Sequence, residues 1–170
     1  EKTMDLDGML ELAKSAPELP EVDLIKEDPG FDWRLPKSVP IAVAKDDAFC
    51  FFYEDNFGLL EKMGAKLMWF YALKDREVPR EAKGLMLYGG YPELHAKELS
   101  KNRLMKKSIY KRITEGIPCV AECGGFMYLH ETMEDMDGNA HKMVGVIPGG
   151  AYKTPKLNHH FGYVKLSQGV

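Results

Sequence analysis

An α/β domain with a mostly parallel sheet covered by helices on both faces, a three-layer α/β/α sandwich, is what this sequence predicts. Three observations carry that expectation. Short apolar runs bounded by turn residues recur from residue 41 onward, segments of helical periodicity lie between them, and glycines stand where those helices must stop. Buried parallel strands need crossovers, and crossovers place helices outside the sheet. The chain has 170 residues, of which 45% are hydrophobic and 29% charged, so it can bury a core and does not read as disordered.

Taken in order, Leu6, Met9, Leu10 and Ala13 repeat at i, i+3, i+4 and i+7 and predict a short amphipathic helix. Five of the ten prolines (Pro17, Pro20, Pro29, Pro36 and Pro40) then interrupt any periodic pattern, and this stretch reads as a linker. Ile41-Ala-Val-Ala44 is the first buried strand. Tyr53, Phe57, Leu60 and Met63 share a helix face that ends at Gly64. Leu67–Tyr71, Gly84–Tyr88 and Pro118–Ala121 supply three further strands, and Met105, Ile109 and Ile113 mark a helix closed by Gly116-Ile117-Pro118. Ligands of such sheets sit beyond the carboxyl ends of the strands, which directs attention to the residues after Tyr88 and Ala121.

Charge and cysteine usage narrow the partners. The net charge of −3 supplies no general field for nucleic acid or an anionic membrane, and neither is expected as a partner. The longest apolar run, Leu67–Leu73, is far short of the roughly 20 residues that span a bilayer. Cys50, Cys119 and Cys123 form no Cys-x-x-Cys pair, and no Asn-x-Ser/Thr acceptor occurs; together these point to a reducing compartment and a cytoplasmic location. The polar, acidic start of the chain, without Met at position one, reads as a cut fragment.

Two motifs carry chemistry. Val120-Ala-Glu-Cys123-Gly-Gly-Phe-Met-Tyr-Leu129 runs from an apolar strand into a cysteine followed by two glycines and then a helix-like segment, the pattern of a nucleophile elbow. A tight strand-to-helix turn strains the backbone of its central residue, and Gly124 and Gly125 remove Cβ atoms that would clash. The competing reading is a packed structural cysteine, and the decapeptide by itself leaves both open. Tyr88-Gly89-Gly90-Tyr91-Pro92-Glu93 ends the preceding strand, where adjacent glycines either expose N–H groups to an oxyanion or form an ordinary turn. Glu93 and Glu122 flank these glycines and the cysteine, suited either to a substrate ammonium group or to capping a helix.

His159 and His160 fall in Lys156-Leu-Asn-His-His-Phe-Gly-Tyr-Val164 and read as structural or surface residues, as do His95, His130 and His141; no spacing favours a metal site. Lys101, Arg103, Lys106, Lys107, Lys111 and Arg112 read as a solvated helix face.

Ala42-Val-Ala-Lys-Asp-Asp-Ala-Phe-Cys-Phe-Phe-Tyr-Glu-Asp-Asn56, Gly89-Gly-Tyr-Pro-Glu-Leu94 and Ala121-Glu-Cys-Gly-Gly-Phe-Met-Tyr-Leu129, in this order, resemble the glutamine amidotransferase domain of the cobyrinic acid a,c-diamide synthase family from about Ile41 to Leu166. The resemblance implies a flavodoxin-like, class I glutamine amidotransferase-like fold. It implies that residues 1–40 are the tail of an upstream ATP-dependent synthetase domain plus a linker, and that residues 41–170 are the amidotransferase-like domain, truncated at its C-terminus.

It further implies that Cys123 attacks the side-chain amide of glutamine, that N–H groups at Gly89, Gly90 and Gly124 hold the oxyanion, and that Tyr91, Glu93 and Glu122 contact the substrate. Ammonia would pass to the synthetase domain of the same polypeptide, which uses ATP and Mg²⁺ to amidate the a and c carboxylates of a tetrapyrrole; no cofactor is expected in this chain, which has no Gly-x-x-x-x-Gly-Lys-Ser/Thr loop. Nickel-sirohydrochlorin, in the coenzyme F430 pathway, is the alternative tetrapyrrole, a non-catalytic relative of the fold is a further alternative, and a homodimer is left open. Two departures stand out. The family's activating histidine lies in a Gly-His-Glu-Phe-His-like segment not found before Val170, which predicts a feeble glutaminase, and Tyr88 stands where the family often has a third glycine.

Overall fold

The structure, a computed structural model, describes residues 4–18 and 37–156. The chain divides into two units, Glu1–Trp33 and Arg34–Val170. In the first, helix α1 (Leu6–Lys14) forms where the periodicity places it. Asp5 caps it by accepting the Gly8 N–H at 2.9 Å, and Lys14 lies in the last turn, where a cation complements the helix dipole.

The second unit is built on a four-stranded, all-parallel sheet of β1 (Val39–Ala44), β2 (Ala65–Phe70), β3 (Gly84–Leu87) and β4 (Cys119–Ala121), in the order β2-β1-β3-β4. That order is the flavodoxin-like one, and the α/β expectation holds. Helix α2 (Glu54–Lys62) joins β1 to β2, with Gly64 at φ 101° releasing the chain into the next strand. A short 3₁₀ turn (Pro92–His95), α3 (Ala96–Lys101) and α4 (Arg103–Thr114) join β3 to β4. Within this sheet the alternation of strand and helix breaks once. Residues 71–83 return from β2 to β3 through turns, because Pro79 and the charged Asp75-Arg76-Glu77 segment offer no apolar helical stripe.

Strand pleating sorts the core into two layers. Ala42, Ala44, Leu85 and Leu87 point to one face and bury against Leu99, Met105 and Ile109 of α3 and α4 and against Tyr128. On the other face the register places Val43 beside Trp69 and Met86, and there Phe57 of α2 packs edge-on to Trp69 and Tyr88, with ring centroids 4.9 and 5.7 Å apart. Helices therefore cover both sides. Of the basic cluster, Lys101, Arg103, Lys107 and Lys111 are exposed, as expected of a solvated face, whereas the half-buried Arg112 guanidinium donates to the Ala82 carbonyl and Lys106 Nζ donates to the Lys142 carbonyl at 2.7 Å.

After β4 come α5 (Gly124–Leu129) and a second, small sheet, unanticipated from the sequence. Its strands β5 (His130–Glu134), β6 (Ala140–Lys142) and β7 (Ile147–Ala151) are ordered β6-β5-β7, with β5 antiparallel to β6 and parallel to β7. The β5–β6 turn is organised by Asp135, whose carboxylate accepts the N–H groups of Asp137 and Asn139 and, at 2.7 Å, His141 Nε2. Those bonds, led by the one from His141, hold the Asp135 carboxyl well below the usual carboxylate range. Among the described residues no helix is long and apolar enough to cross a membrane.

Candidate active site

β1 and β3 are neighbours whose outgoing connections diverge, one toward β2 and the other toward β4, which opens a crevice at the carboxyl end of the sheet. Three loops meet there: residues 45–53 after β1, Tyr88–Tyr91 after β3, and Glu122–Cys123 after β4.

Cys123 sits between β4 and α5 with φ 50° and ψ −114°, and among the described residues it is the only non-glycine with positive φ. Such a conformation costs on the order of 1–3 kcal/mol and persists only where its surroundings impose it. Here the constraint is visible. The Gly125 N–H is shared between the Tyr88 and Glu122 carbonyls, each at 2.9 Å, and the Glu122 N–H donates to the Leu87 carbonyl at 2.9 Å. A side chain on Gly125 would run into the Leu87 carbonyl, and one on Gly124 would come within 2.7 Å of Pro92 Cδ. The two glycines are thus required by close approach of the elbow to β3 and its loop.

The thiol is exposed, which removes the packed-cysteine reading. Cys119, four residues earlier in β4, is the contrasting case: burial pushes its thiol up to about 11, so it stays protonated at neutral pH. Gly89 lies directly alongside the elbow, since a Cβ there would stand 3.5 Å from Cys123 Cβ. Gly90 N is 3.4 Å from where a Gly124 Cβ would sit. Neither the Gly90 nor the Gly124 N–H donates to a backbone carbonyl among the described residues. Because α5 has only 6 residues, it brings its first-turn N–H groups rather than a long helix dipole. An exposed thiol beside two uncommitted N–H groups is an arrangement suited to attack on a carbonyl with the oxyanion held by those groups.

The remaining sequence-selected residues disperse around this centre. Tyr91 is exposed, and its N–H donates to the Ala48 carbonyl at 3.1 Å. Glu93 lines a cleft of about 230 Å³ with Met127, Glu134, Asp135, Met136, Ala151, Tyr152 and Lys153. Glu122 is exposed; burial, and then the Glu122 charge, push the neighbouring Tyr88 phenol up. His159 and His160 lie outside the described residues.

One residue at this crevice went unassigned in the sequence reading. Asp46 accepts the Ala48 and Phe49 N–H groups on Oδ1, at 3.0 and 3.2 Å, and the Leu73 N–H on Oδ2 at 2.9 Å. The signal that marks it is an Asp at the end of an apolar strand, two residues before the chain turns, where Asx geometry is favoured.

Known proteins resemble this chain along most of its length. Residues 40–168 match the CobB/CobQ-like glutamine amidotransferase domain. The chain belongs to that family. Its relatives include the cobyrinate a,c-diamide synthases of Dehalococcoides mccartyi (strain CBDB1), 41% identical across 98% of this chain and 35% of the relative, and of Clostridium tetani, 40% identical across 97% of this chain and 35% of the relative. The cobyrinate a,c-diamide synthase of Synechococcus sp. is 47% identical over 72% of this chain and 27% of its own length. The chain therefore spans about a third of the length of the curated relatives it matches. The span matched to the CobB/CobQ-like glutamine amidotransferase domain includes the elbow at residues 121–129 and the Gly-Gly-Tyr-Pro-Glu segment at residues 89–93.

Proposed function

We propose that this domain hydrolyses glutamine at Cys123 and supplies the ammonia to a synthetase domain that amidates the a and c carboxylates of cobyrinic acid in cobalamin biosynthesis. The observation that carries the reading is the exposed Cys123 at positive φ, set against Gly89 and Gly90 inside a chain of this family. The names of the relatives support the choice of tetrapyrrole.

In this reading the Cys123 sulfur bonds to the glutamine Cδ, and the carbonyl π pair moves onto oxygen, where the Gly90 and Gly124 N–H groups hold the charge. The C–N bond then breaks, ammonia leaves with the thiol proton, and a glutamyl thioester remains for water to hydrolyse to glutamate. Glu93, whose cleft is also lined by Met127 of the helix that follows the nucleophile, is suited to the α-ammonium of glutamine, and Tyr91 and Glu122, both exposed, are the further candidates for contact with it. ATP and Mg²⁺ belong to the synthetase domain.

The test uses the whole synthase polypeptide and a glutamine-like electrophile, with the labelled residue located by mass spectrometry. Labelling at Cys123, loss of glutamine hydrolysis in Cys123→Ala, and amidation in that variant when ammonium replaces glutamine are expected. Labelling elsewhere, or hydrolysis that survives Cys123→Ala, overturns the reading. Amidation of nickel-sirohydrochlorin in preference to cobyrinic acid overturns the choice of substrate while leaving the glutaminase assignment standing.

A further inference from the structure

The segment that would receive the oxyanion is held at both ends by the loop after β1. Phe51 N–H donates to the Gly89 carbonyl at 3.1 Å, and Tyr91 N–H donates to the Ala48 carbonyl at 3.1 Å. Gly90 lies between these two clamps with φ +154°, and any side chain on it would collide with the Ala48 carbonyl. The direction in which the Gly90 N–H points is therefore set by where Ala48 and Phe51 stand. Their position is set in turn by one carboxylate.

Asp46 binds the Ala48 and Phe49 N–H groups with one oxygen and ties the loop, through Leu73 N–H, to the chain leaving β2 with the other. The Asp46 and Phe49 backbones also bond reciprocally, at 3.3 and 3.0 Å. Phe49 is fully buried and packs on Tyr128 of α5, with ring centroids 5.4 Å apart, so the same loop touches the helix that follows the nucleophile. We infer that Asp46 is a positioning residue for the oxyanion site: through the Ala48–Phe51 loop it aims the Gly90 N–H at the carbonyl oxygen of the scissile amide. This rests on the amidotransferase reading above.

The consequence is selective. Attack on a carbonyl needs the oxyanion site, whereas alkylation of a thiol at a saturated carbon builds no oxyanion and does not. In the whole synthase polypeptide, Asp46→Asn keeps the side-chain shape and one acceptor oxygen but replaces the other with a donor. It is expected to lower kcat for glutamine hydrolysis by about tenfold or more, below the roughly 10²- to 10³-fold typical of deleting an oxyanion donor outright. KM and the rate of Cys123 alkylation by chloroacetamide are expected to stay within about twofold of wild type.

Affinity for the γ-aldehyde analogue of glutamine, which forms a tetrahedral adduct on the thiol, should fall by the same factor as kcat. Asp46→Ala should go further in the same direction, and if it does not fold, Asp46→Asn carries the test. Unchanged kcat in Asp46→Asn, or a loss of alkylation matching the loss of hydrolysis, overturns the inference while wild-type hydrolysis leaves the amidotransferase reading intact. A wild-type protein that hydrolyses no glutamine overturns both.

Discussion

At the scale of single residues, the elbow and the crevice make opposite demands on neighbouring side chains. Gly125 has no room, because its Cα faces the Leu87 carbonyl, which is backbone and cannot swing aside. Gly125→Ala is therefore expected to destabilise the domain by about 3 kcal/mol, at the upper end for overpacking, measured as a shift in the urea midpoint. Gly58→Ala, where an added Cβ meets nothing within 4 Å, is the matched control and should be neutral or slightly stabilising. Tyr128 is fully buried, and among the described residues its hydroxyl has no hydrogen-bond partner. A buried phenol oxygen without a partner carries a desolvation cost of about 1–3 kcal/mol. Tyr128→Phe is thus expected to leave stability unchanged or raise it while keeping the ring contact with Phe49, and a loss of more than about 1 kcal/mol in the same titration would show that the hydroxyl is satisfied after all.

At the scale of elements, Met105 and Ile109 are completely buried on α4, while Leu104, one position away, is largely exposed. Met105→Ala should cost about 2–5 kcal/mol and Leu104→Ala less than about 1, a contrast that thermal denaturation of the two variants will read directly. The same helix shows why so much of the larger sheet was legible. Met105, Ile109 and Ile113 recur with the helical period, and β1 and β3 are short apolar runs with buried residues, so pattern and burial coincide there; β4 is apolar as well, but its Val120 is exposed. The small sheet was not legible for the opposite reason. β7 reads Ile-Pro-Gly-Gly-Ala with its three middle residues exposed, and β6 is Ala-His-Lys, so neither alternation nor β-branched content marks them. Their pairing is imposed by β5. Of the site, Cys123 and its glycines were visible because a strained turn demands small neighbours. Asp46 was passed over because an Asp after an apolar strand marks only a local Asx turn, whereas its bond to the distant Leu73 N–H has no signal in the sequence.

At the scale of the whole molecule, the Asp135 carboxyl contributes at the acid end of the pH range and the Cys119 thiol at the alkaline end, where the buried Tyr128 phenol, also pushed up by burial, acts in the same direction. The Asp135 carboxyl is held low in the folded state, so its stabilisation is present above the ordinary value of 3.8 and is lost as pH falls below it. The Cys119 thiol is raised from 9.0 to about 11, so the fold favours its neutral form; that contribution is present below about 9 and is lost as pH climbs toward 11. The melting temperature should therefore decline on both flanks of a neutral plateau. His141→Ala is expected to shrink the acid-side decline and Cys119→Ala the alkaline one, and a melting temperature that rises between pH 9 and 11 would contradict the account. The forked bond from the Gly125 amide to Tyr88 and Glu122 has a further consequence for heat. It fastens the sulfur-bearing bend to the loop that the proposed chemistry would load with charge, so thermal jitter displaces the two together and leaves their separation nearly constant. Warming should consequently spare turnover until the sheet itself gives way, with inactivation and melting following one curve.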